Sequence, residues 1–264
     1  YSTNNIGDQT YPYTVLDDST TLIKDIIEGK NELSGKIINS AKPIIIIGQS
    51  VLKLKSSNYI FEELKKFLIK HNKINKEWNS FNILLRDAAS VGAYDLTLFS
   101  SNNGRNILLE KLNDNSLDIL FLIGQDNLKI NRDGLFVVYV GSHGDEGAKK
   151  SDLIFPGSAF TEQDGYYTNL EGKIQKAYKA SYPTELAKED WKIINEISNI
   201  VRGKTLYKDK DELIDNMFNY LNQTRKEEFV QTDINFESEK IIIEDIDYYF
   251  SNVIAKNSKT MSEC

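Results

Sequence analysis

The sequence predicts an α/β protein, a Rossmann-like, doubly wound, mainly parallel sheet with helices on both faces. Three observations predict it. Residues 43–47 (P-I-I-I-I), 118–123 (D-I-L-F-L-I) and 135–140 (L-F-V-V-Y-V) are apolar at successive positions, so each reads as a strand buried on both sides. Segments of helical period or helix-compatible length lie between such runs. Three strand ends carry glycine, at Gly48, Gly124 and Gly141. In open parallel sheets that end is where ligands or partners sit.

The elements follow in order. Strand 43–47 leads to an amphipathic helix over 58–71, where Ile60, Phe61, Leu64, Phe67 and Leu68 form one stripe. Asn58 is its expected N-cap, and Glu62 and Glu63 suit the positive end of the dipole. Residues 81–85 form the next apolar strand, 104–112 a helical or loop stretch, and 118–123 and 135–140 two further strands. A shorter strand over 152–155 stops at Pro156-Gly157. Strands 43–47, 118–123 and 135–140 are expected side by side in one sheet. The strongest helix signal spans 184–201, with Leu186, Trp191, Ile194, Ile197 and Val201 as its stripe, Pro183 before it and Gly203 after it. Trp191 and Ile194 are expected to be buried. Residues 204–240 turn polar, with a weaker amphipathic stretch over 213–221, and 241–250 reads as a last strand before a polar tail. The expected domains are a lead-in at 1–40, an α/β core at 41–203, a helical appendage at 204–240, and a C-terminal strand and tail at 241–264.

Composition narrows the function. The chain has 264 residues and a net charge of −7, which disfavours broad nucleic-acid binding or a polybasic membrane patch. One Cys and two His cannot by themselves build a structural zinc site or an iron–sulfur cluster, each of which takes about four such ligands. No apolar run is long enough to span a membrane. The opening residues lack the pattern of a signal or transit peptide and an initiator Met, so the chain reads as processed or as a piece of something longer.

Gly48-Gln49-Ser50 follows a strand but lacks the G-x-G-x-x-G spacing of a dinucleotide loop, and a strand-to-loop turn is the plainer reading. The densest polar segment is 141–175, which holds His143, Asp145, Asp152, Glu162 and Glu171 and six of the 15 Gly. His143 and Asp145 could act as a base and its orienter. Nothing marks a matching nucleophile, so the simpler reading is a loop with glycines at positive φ, Gly144 and Gly147 among them, and a hydrogen-bonded structural His143. Glu162 and Asp164 could serve as paired carboxylates, but the simpler reading is a turn before Gly165 with Thr161 as a local cap; His71 sits at a helix C-terminus, and Cys264 is a lone terminal thiol.

The blocks G-S-H-G-D-E-G-A, S-D-L-I-F-P-G-S-A-F-T-E, G-Y-Y-T-N-L-E-G-K-I-Q and L-A-K-E-D-W-K-I-I-N-E-I-S, in that order over 141–198, resemble one family. It is the C-terminal half of the large, 75-kDa-type iron–sulfur subunit of mitochondrial respiratory complex I. T-Y-P-Y-T-V-L-D-D-S, A-K-P-I-I-I-I-G-Q-S, D-I-L-F-L-I-G-Q-D and the ending D-Y-Y-F-S-N-V-I-A-K-N-S-K-T-M-S-E-C extend the resemblance over nearly the whole chain, most vaguely at 204–240. It implies a degenerate molybdopterin-oxidoreductase fold with no molybdenum, no catalytic residue and no cofactor of its own. It implies that the iron–sulfur clusters lie in a partner N-terminal half, and that the chain serves as a scaffold in the matrix-side peripheral arm. Two other readings remain open at this point: the pterin-binding domain of a molybdenum or tungsten oxidoreductase, and a nucleotide-binding Rossmann-like domain.

Overall fold

The computed structural model describes residues 1–96, 104–125, 134–225, 234–243, 247 and 249–263. Two compact units divide the chain, Tyr1–Asp87 with Glu228–Ile246, and Ala88–Glu227 with Asp247–Cys264. Residues 41–203 contribute to both.

The first unit holds helices α1 (Thr20–Ile27) and α2 (Glu32–Asn39), strand β1 (Ile45–Gly48), helix α3 (Ser57–Lys70) and strand β2 (Phe81–Leu84). Ser19 and Asn31 cap α1 and α2 by accepting the N–H groups of Thr21 and Leu33. β1 and β2 are parallel, in register from Ile45 with Phe81 to Gly48 with Leu84, and α3 is their crossover. The predicted stripe of α3 is the buried one: Ile60, Leu64, Phe67 and Leu68 join Ile23, Ile47, Val51 and Ile241 in the core.

The cap of α3 differs from expectation. Asn58 lies inside the helix, and the flanking residue is Ser56. The Ser56 hydroxyl does not cap, because it donates to the Glu237 carbonyl at 2.6 Å and accepts the Glu237 N–H at 2.8 Å. The same return segment is tied to α1. Thr20 Oγ1 accepts the Glu239 N–H, and the Ile241 N–H donates to the Asp18 carbonyl. Among the described residues of the strand expected over 241–250 none is in a strand, and the pairing of this segment is a bridge of Lys240 with Ser19 just before it. Residues 244–246 and 248 lie outside the described residues.

The second unit holds α4 (Ser90–Asp95), α5 (Gly104–Asn113), β3 (Ile119–Ile123), β4 (Phe136–Gly141), α6 (Glu146–Lys149), β5 (Leu153–Pro156), β6 (Gly165–Thr168), β7 (Ile174–Ala177), α7 (Asp190–Arg202) and α8 (Lys210–Thr224). Two single-turn helices, α9 (Val253–Lys256) and α10 (Lys259–Ser262), occupy what reads in sequence as a polar tail. β3, β4 and β5 form a parallel sheet in that order, and β6 and β7 form an antiparallel hairpin. Its turn is the predicted one: Asn169 Oδ1 accepts the N–H groups of Glu171 and Lys173, and Gly172 has φ +80°.

The α/β class with parallel sheets stands, but the arrangement is corrected in three respects. Residues 43–47 do not share a sheet with 118–123 and 135–140. β1 pairs instead with β2, the strand to which its own crossover helix returns. Burial of the parallel strands is one-sided at β3: Leu120 and Leu122 pack with Leu112, Leu135, Val137 and Tyr139, while Ile119, Phe121 and Ile123 are exposed.

The third correction is α7, which begins at Asp190, six residues later than predicted. The backbone before it is engaged elsewhere, since Lys188 forms a parallel bridge with Gly157 and Glu185 takes φ +44°. Gly203 ends the helix at φ +64°, as its position requires. The buried face is rotated from the predicted one. Ile193 is 5% exposed and Ile194 40%, with Trp191 half-buried. Ile193→Ala is therefore expected to cost about 2–5 kcal/mol. Ile194→Ala is expected to stay near the surface-site range of about 0.5 kcal/mol. Denaturant midpoints of the two variants check this, and the reverse ranking would refute the assigned face.

Candidate functional site

At the C-terminal ends of β4 and β5 lies a crevice of about 480 Å³, lined by Gly141, Ser142, His143, Pro156, Gly157, Ala159, Glu162 and residues 184–187. β4 ends on Gly141 and β5 on Pro156, and the two strands part just beyond them. The Gly157 N–H donates to the Gly141 carbonyl, and the next N–H, that of Ser158, turns away to the Lys188 carbonyl. Glu162 closes one side by accepting the Ala159 N–H at 3.0 Å.

The structure separates the two candidate chemical partners. His143 Nδ1 lies 2.9 Å from the Ser142 hydroxyl. Asp145 is committed to the fold on both carboxylate oxygens. Oδ1 accepts the N–H groups of Gly147 and Ala148, capping α6, and Oδ2 accepts the Tyr139 hydroxyl at 2.5 Å. Tyr139 itself is buried.

The glycines here answer to close approach and not to positive φ. A Cβ on Gly141 would stand 2.2 Å from the Tyr139 hydroxyl, and one on Gly147 2.6 Å from the Gln125 carbonyl oxygen and 2.7 Å from the Tyr139 ring. Neither has a positive φ, nor does Gly144, which has open space around it.

Other candidates are dispersed. Asp152 Oδ2 accepts the Val137 N–H at 2.8 Å, and Glu171 is an exposed turn residue. Asp164 precedes strand β6, where a turn was expected, and accepts the Lys179 N–H. That bond, with the charges of Lys210, Lys176 and Lys179, holds its carboxyl below the ordinary value. His71 ends α3 with its ring against Phe67, as its place at the helix end suggests. Gln49 accepts the Arg86 N–H beyond β1. Cys264 lies outside the described residues.

Sequence reasoning missed a second cavity of about 560 Å³, lined by Tyr166, Trp191, Tyr207, Met217 and Tyr220 around Lys210. Lys210 Nζ donates to Glu189 at 2.5 Å and to the Asp164 carbonyl at 3.0 Å, and Trp191 Nε1 donates to Glu189. Burial pushes the Glu189 carboxyl up, but these two donors outweigh it and hold it below the ordinary value. The neighbouring Asp190 is pushed up by burial and by the charge of Glu189. Helix α8 is thereby tied into the unit by Lys210 and by the edge-on contact of Phe218 with Tyr166, where 204–240 had suggested an appendage. The Leu213–Leu221 periodicity was a fair signal for the helix. Nothing in the spacing pairs Lys210 with Glu189.

Residues 2–200 match the Molybdopterin oxidoreductase family. Over its whole length the chain is 33% identical to the NADH-ubiquinone oxidoreductase 75 kDa subunit of Reclinomonas americana, covering 40% of that protein. It is 32% identical to an NADH-quinone oxidoreductase subunit of Rickettsia bellii over 97% of the chain and 38% of the relative. It is also 32% identical to the mitochondrial 78 kDa subunit of NADH-ubiquinone oxidoreductase from Candida albicans, over 97% of the chain and 37% of the relative. The chain thus spans about two fifths of the length of the curated relatives it matches.

The family's name implies a molybdenum-bearing pterin, and the crevice, by its lining, is a poor fit for an anionic, metal-bearing group. Its ionisable lining is His143 with two carboxylates, Glu162 and Glu185, and includes no Lys, Arg or Cys. A phosphate is held by cations and free N–H groups, and a soft metal by thiolate.

Proposed function

The chain belongs to the molybdopterin oxidoreductase family, and from that premise we propose that it is the cluster-free C-terminal portion of the large subunit of an NADH:quinone oxidoreductase, a scaffold and not a catalyst. The relatives' names support the assembly. The observation that supports the scaffold reading is the commitment of Asp145: both its oxygens hold the fold, and the hydrogen bond of His143 among the described residues is with the Ser142 hydroxyl and not with Asp145.

On this reading the iron–sulfur clusters reside in the N-terminal half of the same subunit, which is a separate polypeptide if the gene is split. This chain carries no cofactor. Its partners are that half and other subunits of the peripheral arm, on the matrix side of the mitochondrial inner membrane. The absence of any helix long and apolar enough to cross a membrane among the described residues is consistent with this. A pterin- or nucleotide-binding role would be favoured by cations in the crevice, whose ionisable lining is His143 and two carboxylates.

Native gel electrophoresis with mass spectrometry tests membership: the chain is expected to migrate with a very large respiratory assembly. His143→Ala tests the scaffold role. NADH oxidation per assembled complex, normalised by flavin content, is expected to stay near wild type, with any loss appearing as less assembled complex. A general base would lose about 10²–10⁴-fold in turnover with assembly intact, and that result would defeat the reading.

A further inference from the structure

The cavity around Lys210 lies within the second unit, and its walls between residues 163 and 220 are all described. Helix α8 supplies one wall, with Lys210, Leu213, Met217 and Tyr220 three or four residues apart and so on one face. Strand β6 supplies Tyr166, whose ring meets Phe218 of α8 edge-on at 5.2 Å. The N-terminal end of α7 supplies Glu189 and Trp191. Tyr207 closes a further side. Asn195 fixes its backbone by accepting the Tyr207 N–H at 3.1 Å and donating to the Tyr207 carbonyl at 2.8 Å. Walls fixed in this way lower the cost of ordering a site around a ligand.

The charges in the lining select the kind of ligand. Two carboxylates, Asp164 and Glu189, line the cavity with one ammonium, that of Lys210. Both carboxyls are held below their ordinary values, so both are charged at neutral pH. Neither has all its oxygens occupied by the fold. Glu189 Oε2 accepts from both Lys210 Nζ and Trp191 Nε1, and Oε1 accepts from no described residue, although the side chain is only 16% exposed. Asp164 accepts the Lys179 N–H on Oδ1 alone. A charged oxygen so far withdrawn from water gains most from an N–H donor, and most of all from a cationic one. The other cations nearby, Lys176, Lys179 and Lys192, are exposed and lie over the rings of Tyr178, Tyr182 and Trp191, where solvent screens them. An anion would instead meet two carboxylates and an ammonium that is already paired.

We propose that this cavity binds a small planar organic cation with N–H donors, an amidine or guanidine on a flat apolar body, with its charge at Glu189 and its body against Tyr166, Trp191 and Tyr207. The volume of about 560 Å³ is that of a small-molecule site, and aromatic walls attract a cation through their ring faces. Lys210 already shows what the acceptors take, since its ammonium donates to Glu189 and to the Asp164 carbonyl beside the same rings. The site binds and transforms nothing, so it is compatible with a scaffold and does not depend on that reading.

The test titrates the purified full chain by calorimetry with benzamidine, benzamide and benzoate, which share one flat shape and differ in charge. Benzamidine is expected to bind about tenfold more tightly than benzamide, and benzoate not measurably. Glu189→Gln is expected to weaken benzamidine by about tenfold or more. Lys210→Met keeps the apolar stem and removes the resident ammonium, so benzamidine is expected to bind about tenfold more tightly than to the wild type. A merely structural Lys210 would give no such gain. Should Lys210→Met fail to fold, Tyr207→Leu leaves every charge in place and is expected to weaken benzamidine about fivefold.

Equal binding of benzamidine and benzamide would overturn the proposal, and so would tighter binding of benzoate or no binding of any of the three. Benzamidine binding that Glu189→Gln leaves unchanged would also overturn it, as general attraction to a chain of net charge −7. Circular dichroism of each variant confirms that the fold is intact before its affinity is compared.

Discussion

Gly147→Val is expected to lose about 3 kcal/mol of stability, at the upper end of ordinary overpacking. Gly147 is buried at the start of α6, and a Cβ there would approach the Gln125 carbonyl oxygen to 2.6 Å and the Tyr139 ring to 2.7 Å. The first obstacle is backbone and the second a buried ring, so neither can swing aside as an exposed side chain would. Gly144→Val, three residues earlier, meets nothing within 4 Å and has no positive φ to forbid it. It should change stability by about 0.5 kcal/mol or less. Urea denaturation of the two purified variants measures the contrast. Equal losses would mean that backbone conformation and not close approach decides this loop.

Asp145→Ala is expected to cost about 2–4 kcal/mol. The substitution removes the N-cap of α6, typically worth about 1 kcal/mol, and takes from the Tyr139 hydroxyl its carboxylate acceptor, a loss of about 1–3 kcal/mol for a buried group. Tyr139→Phe removes the hydroxyl without emptying the site. The double variant should therefore lose less than the two single losses together, since the second change removes the group that the first left without its carboxylate. Strict additivity would show that the 2.5 Å contact contributes nothing to stability. These losses are local to the loop that carries His143, so assembly and turnover can be compared in the same proteins. A scaffold loses assembled complex in proportion to stability and retains its turnover per complex.

Much of the fold was legible residue by residue. The runs at 43–47, 118–123 and 135–140 form strands because successive apolar positions favour an extended chain between two layers. The stripe from Ile60 to Leu68 forms a buried helical face because its spacing matches the helical turn. The Asn169–Gly172 turn and the Gly203 helix end follow from side-chain hydrogen bonding and from the freedom of glycine at positive φ. The candidate site was legible only as a list. His143 and Glu162 do gather in the crevice at the ends of β4 and β5, whereas Asp145 is held by Tyr139 and α6, and the spacing could not say which groups line a crevice and which hold a cap.

What the sequence determined by itself is therefore local: the element types, the glycine-marked strand ends, and the family resemblance carried by the ordered blocks. Only the tertiary structure decided that β1 pairs with β2, that Ile193 and not Ile194 is buried, that Ser56 binds Glu237 instead of capping α3, and that Lys210 finds Glu189. Each of these joins groups that approach only after the chain has folded back on itself. Periodicity along one element specifies which faces are apolar, but the identity of the surface that meets each face is set by contacts between distant segments.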